Sequence, residues 1–407
     1  MECVCLLVKV YAIVPSESEN PMKMRETMKC DSRRVEWIDL LRVMACFMVV
    51  LSHACDPFVG QFDSNRMAFI TGTGIGSLVR PCVPLFVMMT GALLLPVAGR
   101  DRSLGAFYRR RVGRLVWPLL FWSLMLPGIG YCYFNYINPD TANAMLADGL
   151  YSTERFVPRM WTWVFNFNYD TTALWYLYML VGLYLVIPII DGWLQTASRA
   201  DLRLALKVWV ISLCLPYVQM AAPSLGFEGM FGNMGILGVC DWNVYGTFYY
   251  MSGFAGYLLL AYYLKTYPLQ WSRAKLWGLL LPSFLIGYAV TFGGYVLVQK
   301  YHPGDYSHLE IIWLFCGINV FMMTLPVFVA VQRFKGRIPG WISSLAGLTF
   351  GIYLIHFPLE SGGFDLLEHS GLPDWARILS AAVIIFVFTG AIVWVLRQWK
   401  VTRRLVA

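Results

Sequence analysis

Charge is what this chain has least of. Only 14% of its 407 residues are Asp, Glu, Lys or Arg, against 58% hydrophobic, and the mean hydropathy is +0.57. An ordinary soluble domain carries about a quarter charged residues, so that class is excluded and a polytopic membrane protein remains. The ten cysteines form no C-x-x-C pair. Cys46, Cys214 and Cys316 lie inside apolar runs and read as small buried hydrophobes, with neither a disulfide framework nor a metal site. A Gly-rich nucleotide loop, an H-E-x-x-H helix and an internal repeat are missing too. The apolar stretch 3–14 is too short to span, and it has neither a basic leader nor an A-x-A cleavage site, so it does not read as a signal peptide. Residues 1–34, rich in Ser, Glu and Lys, read as a disordered extension, and Met22, Met24 and Met28 are each equally able to be the true start.

Long apolar runs dominate the rest. They lie at about 37–57, 75–97, 112–136, 172–190, 205–222, 246–264, 277–299, 309–331, 343–360 and 377–397, each close to the ~20 residues a bilayer needs. The expected fold is an all-α bundle of about ten transmembrane helices forming one domain over 35–400. The 16 Trp, 23 Tyr and 26 Phe suit helix ends at the two membrane interfaces.

The formal net charge of +8 is distributed by loop, so topology explains it better than a nucleic-acid partner does. Alternate segments collect Lys23, Arg25, Lys29, Arg33 and Arg34, then Arg100, Arg102, Arg109, Arg110, Arg111 and Arg114. Arg199, Arg203 and Lys207 follow, then Lys265, Arg273 and Lys275, then Arg333, Lys335 and Arg337, and last Arg397, Lys400, Arg403 and Arg404. The opposite loops hold few basic residues, such as Arg66, Arg155, Arg159 and Lys300. The expected topology has both termini cytoplasmic.

The first run, WIDLLRVMACFMVVLSHACDP, is long enough to cross, yet it carries ionisable side chains. Asp39 and Arg42 are three apart and share a helix face, where they can pair. His53 lies eleven residues beyond Arg42. Eleven steps of roughly 100° return to nearly the same stripe, roughly 16 Å further along the axis. Such groups inside a bilayer are costly and tend to face protein or water. Singly, Arg42 could snorkel, Asp39 could be interfacial and His53 could sit among headgroups. Arg80, before VPLF, is expected at the outer start of the second helix, level with His53 and within reach of the imidazole. His356, in YLIH, reads as a maker of an interhelical hydrogen bond. Glu310 reads as interfacial. His302, His308 and His369 lie in or near outer loops and carry no assigned role, and HPGDYSH is too loosely spaced for a metal site.

Together these segments resemble the membrane-bound acyltransferase-3 family. The resemblance is carried by W-I-D-L-L-R followed by ten residues and His53, and by RPCVPLFVMMTGALLLP, RRRVGR, LWYLYMLVGLYLVIP and GIYLIHFPL. It covers about 35–397. The branch that O-acetylates enterobacterial common antigen is the nearest in flavour, although Leu stands where the family commonly has Gly in the first helix and Thr90-Gly91-Ala92 where it has Ser-Gly-aromatic. The resemblance implies acetyl transfer from cytoplasmic acyl-CoA, as donor substrate with no tightly bound cofactor, to a hydroxyl of a cell-envelope polysaccharide or lipid-linked glycan at a bacterial cytoplasmic membrane. Imidazole is the side chain best suited to take a hydroxyl proton, so His53 is the expected base, with a covalent acyl-imidazole as its other possible role. Arg42, oriented by Asp39, is expected to meet the thioester or developing negative charge, and Arg80 the acceptor or oxyanion. Arg110, Arg111 and Arg114 suit the phosphates of CoA, though any positive-inside loop looks alike. Trp175 and Tyr176 either line the cavity or anchor a helix end. A transporter in which Arg42, His53 and Arg80 form a polar pathway is the alternative. It is disfavoured by the apparent lack of paired interrupted helices, and a purely structural scaffold is disfavoured by the charged stripe.

Overall fold

The computed structural model describes residues 36–97, 103–141, 152–161, 169–227, 235–240, 243, 245–304, 306–334 and 336–406. The N-terminal extension expected over 1–34 lies outside the described residues, as does part of the aromatic loop 138–170. Every named element among the described residues is a helix.

Among the described residues, eight helical stretches are long and apolar enough to cross a membrane: Glu36–Val59, Arg66–Leu94, Leu104–Ile137, Thr172–Leu194, Arg199–Ala221, Arg273–Tyr301, His308–Gln332 and Asp374–Leu396. The protein is therefore a multi-pass membrane protein. The remaining two apolar runs, 246–264 and 343–360, are interrupted. In the first, a short tight helix Gly246–Met251 stops at Gly253, whose φ of 76° is left-handed, and a helix resumes as Ala255–Thr266. In the second, Gly340–Ala346 gives way at Gly347, Thr349–Ile355 follows, and Pro358 ends regular geometry before Glu360–Leu367. The helical parts that follow the first break and span the second are enclosed by protein: residues 256–264 and 351–357 are all buried, whereas Tyr249, Tyr250 and Met251 before the first break are exposed. Irregular backbone survives at membrane depth where protein surrounds it and supplies its hydrogen bonds. At one break, Arg397 Nη1 donates to the Gly347 carbonyl at 2.7 Å. Interrupted helices are thus present, contrary to the expectation from the apolar runs, because hydropathy is blind to backbone breaks.

The helices used below are α1 (Glu36–Ala54), α2 (Asp56–Val59), α3 (Arg66–Leu78), α4 (Cys82–Leu94), α5 (Leu104–Arg111), α6 (Gly113–Cys132), α7 (Thr153–Trp161), α8 (Trp175–Leu194), α9 (Arg199–Ser212), α10 (Leu215–Ala221), α11 (Ala255–Thr266), α12 (Arg273–Tyr301), α13 (Tyr306–Trp313), α14 (Ile318–Gln332), α15 (Gly340–Ala346), α16 (Thr349–Ile355), α17 (Glu360–Leu367), α18 (Asp374–Leu396) and α19 (Lys400–Val406). At the centre stands α1, which packs against α3, α4, α14, α15, α16, α17 and α18. Its apolar residues, from Ile38 and Leu41 through Cys46 and Val50 to Ala54, are buried. The second crossing is two helices rather than one. It begins at Arg66, where Asn65 caps it by accepting from the Ala68 N–H at 3.1 Å, and bends at Val79, Arg80 and Pro81 before α4. Arg80 therefore sits at the middle of its span, not at the outer start expected from the apolar run.

Backbones approach closely where α4 meets α11. A Cβ placed on Gly91 would lie 2.4 Å from the Leu258 carbonyl oxygen, so only glycine lets these helices touch. A Gly91→Val change is expected to cost about 1–3 kcal/mol through forced displacement. Gly182, with nothing within 4 Å of the same position, is expected to accept Ala without loss. Thermal midpoints followed by fluorescence-detected size exclusion check both.

Candidate functional site

The end of α1 creates the centre of the site. Pro57 has no N–H and cannot continue the helix, so the chain breaks at Cys55 and restarts as α2. Asp56, first residue of α2, is thereby turned back toward the last turn of α1. Its Oδ2 lies 2.9 Å from His53 Nδ1. A carboxylate only accepts, so Nδ1 carries the hydrogen and Nε2 keeps its lone pair. Phe357 stands edge-on to the His53 ring, with centroids 5.0 Å apart. Asp56 was not singled out from the sequence. The signal was there, an acid three residues after a histidine, but it lies across a helix break that periodicity alone does not reveal.

His53 lines a cavity of about 670 Å³ together with Arg42, Arg80, Arg111, Trp175 and Tyr176. Those six side chains come from α1, the α3–α4 bend, α5 and α8. Tyr184, Phe315 and Tyr353, which sequence reasoning passed over, also face it, and only the packing of distant segments could reveal them. Arg42 is paired at 3.7 Å with Asp39, whose other oxygen accepts from the Ser343 hydroxyl at 2.9 Å. Asp39 is itself 4% exposed and is not part of the cavity wall; it holds Arg42 from behind.

Arg80 is placed by packing. Its Nη2 donates to the Trp313 carbonyl at 2.6 Å, and its guanidinium lies 4.1 Å from the Phe315 ring centroid and 4.8 Å from that of Trp313. Phe315 in turn stacks on Trp175, 5.6 Å between centroids and 18° between planes. Arg80 and His53 share the cavity, but the imidazole's hydrogen-bond partner is Asp56 and Arg80 is held by Trp313.

The basic cluster divides. Arg111, the last residue of α5, reaches the cavity; Arg110 and Arg114 are not among its lining residues, and Arg114 is exposed. Successive helical residues diverge by about 100°, so adjacent arginines cannot share one target wall. His356 is fully buried, and its Nδ1 lies 2.7 Å from the Tyr353 carbonyl oxygen. That bond lies within its own turn, in place of the interhelical bond expected. Glu310 and His369 are exposed, and His302 and His308 stack on one another with centroids 5.1 Å apart. Cys46 and Cys316 are buried, and Cys214 is partly so.

A histidine oriented by a carboxylate inside a membrane-embedded cavity that also holds three arginines is a site for proton transfer beside an anionic or polarised group. The match to known families agrees in class: residues 35–397 fit the model described as an acyltransferase domain, Acyl_transf_3. The chain belongs to the acyltransferase-3 family and is a membrane acyltransferase. No curated protein and no solved structure matches it.

Cavity access can be read chemically. In a chain whose native cysteines are replaced, Thr90→Cys and Leu94→Cys, both on the cavity wall, are expected to react with a water-soluble thiol reagent. Ala381→Cys, at a core position 4% exposed, is expected not to react. Equal labelling at all three would remove the cavity as an aqueous compartment.

Proposed function

We propose that the protein transfers an acetyl group from cytoplasmic acyl-CoA to a hydroxyl of a cell-envelope polysaccharide or lipid-linked glycan, in a bacterial cytoplasmic membrane with both chain termini on the cytoplasmic side. The observation that carries this reading is His53, held by Asp56 and lining the same cavity as Arg42, within a chain of the acyltransferase-3 family. The positive-inside distribution of Lys and Arg supports the orientation, and the enterobacterial-common-antigen branch is the nearest guide to the acceptor.

In this reading acyl-CoA enters from the end of the cavity marked by Arg42 and Arg111, whose guanidinium planes suit phosphate and a polarised thioester. The acceptor sugar enters at the end marked by His53, Arg80 and the Trp175–Phe315 stack. His53 Nε2 takes the hydroxyl proton as the sugar oxygen bonds to the thioester carbonyl carbon. Asp56 keeps the imidazole in the tautomer that can accept it and balances the imidazolium that forms. Arg80, buried and with its Nε–H unpartnered among the described residues, offers positive charge to the tetrahedral oxyanion. The C–S bond then breaks, and the thiolate recovers the proton from His53. A covalent acyl-His53 route uses the same nitrogen as nucleophile and the same Asp56.

The transporter reading gains one observation, the interrupted segments within 246–264 and 343–360, since broken helices are common at transport sites. It predicts no specific binding of acyl-CoA, which equilibrium binding of labelled acetyl-CoA to the purified protein decides.

His53→Ala is expected to abolish acylation of envelope glycans while the protein still inserts, and Asp56→Asn to lower the rate by about 10²–10⁴-fold, the usual worth of general-base catalysis. Mass spectrometry of envelope glycans from deletion cells carrying each variant reads both. Full acetylation with His53→Ala would sink the role given to this residue.

A further inference from the structure

Behind the His53–Asp56 pair lies a second group of titratable side chains that the reaction as drawn leaves idle. The His356 ring packs against that of His53 at 5.4 Å between centroids, tilted by 44°, a separation at which ring nitrogens turned toward one another are within hydrogen-bond distance. His356 Nδ1 faces the Tyr353 carbonyl at 2.7 Å. A carbonyl has no hydrogen to give, so Nδ1 carries it and Nε2 is left bare. This Nε2 is shut away from solvent with no partner among the described residues. One turn on, Glu360 is 7% exposed, and neither of its carboxyl oxygens has a partner there either.

Buried polar atoms are hydrogen-bonded in roughly nine cases of ten or more. Three unsatisfied atoms on two side chains one turn apart, one of them on a ring packed against the histidine that faces the cavity, call for a reason. The fold delivers them there. Pro358 stops α16 just after His356, α17 restarts at Glu360, and both helices pack on α1. Beside His356 stand His53 on α1 and Tyr353 on α16, while Cys55 and Asp56 at the α1–α2 break lie near Glu360 on α17.

We infer that His356 is a positioning residue for proton transfer, its bare Nε2 accepting a hydrogen bond from the Nε2–H that His53 gains, with Asp56 bonded to the opposite nitrogen of the His53 ring and Glu360 close to Asp56. The inference rests on the acyltransferase reading above. The acceptor's O–H bond breaks as its oxygen bonds to the acyl carbon, and the proton moves to His53 Nε2; the imidazolium then turns this N–H from the cavity to His356 Nε2, which holds it, and turns it back for release. When the C–S bond breaks, the same proton passes to the thiolate sulfur. No proton is gained or lost overall, and no co-reactant is needed.

The test uses washed membranes containing the full-length protein, with transfer of label from [1-14C]acetyl-CoA into the endogenous envelope-glycan fraction measured across pH 5.5 to 8.5. His356→Phe keeps a flat ring and removes the acceptor, while His356→Gln keeps an acceptor. We expect His356→Phe to lower kcat by about 10- to 100-fold, the worth of one hydrogen bond to a charged group. The KM for acetyl-CoA should be unchanged and the pH–rate profile altered, while His356→Gln recovers much of the rate and the wild-type profile. A purely structural His356 would lower kcat evenly across pH, and that result overturns the inference. Wild-type kcat and profile in His356→Phe, with His53→Ala inactive, overturns it too and leaves the acyltransferase reading standing. No transfer by wild-type membranes that contain the protein would fell that reading and the inference with it. If His356→Phe fails to accumulate, His356→Leu is read in its place by the same criteria.

Discussion

Inside a bilayer a polar side chain has only protein, or water held by protein, to bond with. The polar groups of the site obey that constraint, and their partners decide their geometry. Asp39 bonds Ser343 and pairs with Arg42. His53 bonds Asp56. Arg80 spends one N–H on the Trp313 carbonyl and lays its plane on two aromatic rings. Each of these three contacts fixes in direction a group that would be expensive in lipid, and that fixing is what a catalytic site needs.

The same constraint explains why the two interrupted segments lie where they do. Helices that face lipid must keep every backbone hydrogen bond internal. The segment within 343–360 is wrapped by other helices and can break, and the one within 246–264 breaks beside exposed residues before its buried helix begins. One break brings His356 and Glu360 to the end of α1, and a Gly91 contact lets α11 reach the backbone of α4. The bend at Val79–Pro81 does comparable work by setting Arg80 in the middle of the crossing Arg66–Leu94. Proline and glycine thus act here as positioning devices rather than as loop formers.

The cavity has two chemically distinct ends. Arg42 and Arg111 mark one, and His53 and Arg80 the other, with Arg42 and His53 roughly 16 Å apart along α1 by helical rise. A donor drawn to one end and an acceptor held at the other would meet on a single helix face, as the proposed acyl transfer requires. The buried pair His356 and Glu360 lies behind the basic nitrogen, where a transferred proton would pause.

Much of this was legible in the residues themselves. Apolar runs of about twenty, the stripe Asp39, Arg42 and His53, and the motifs shared with the acyltransferase-3 family are local patterns, set by neighbours three, four or eleven positions apart on one helix. The sequence by itself therefore determined the class of protein and the helix that carries the site. Only tertiary structure decided which arginine of the basic cluster reaches the cavity and that Arg80 is held by a carbonyl 233 positions away. Tertiary structure also turned Asp56 back onto His53 and seated His356 against its ring. Those contacts depend on where helices break and how they pack, and hydropathy along a chain records neither.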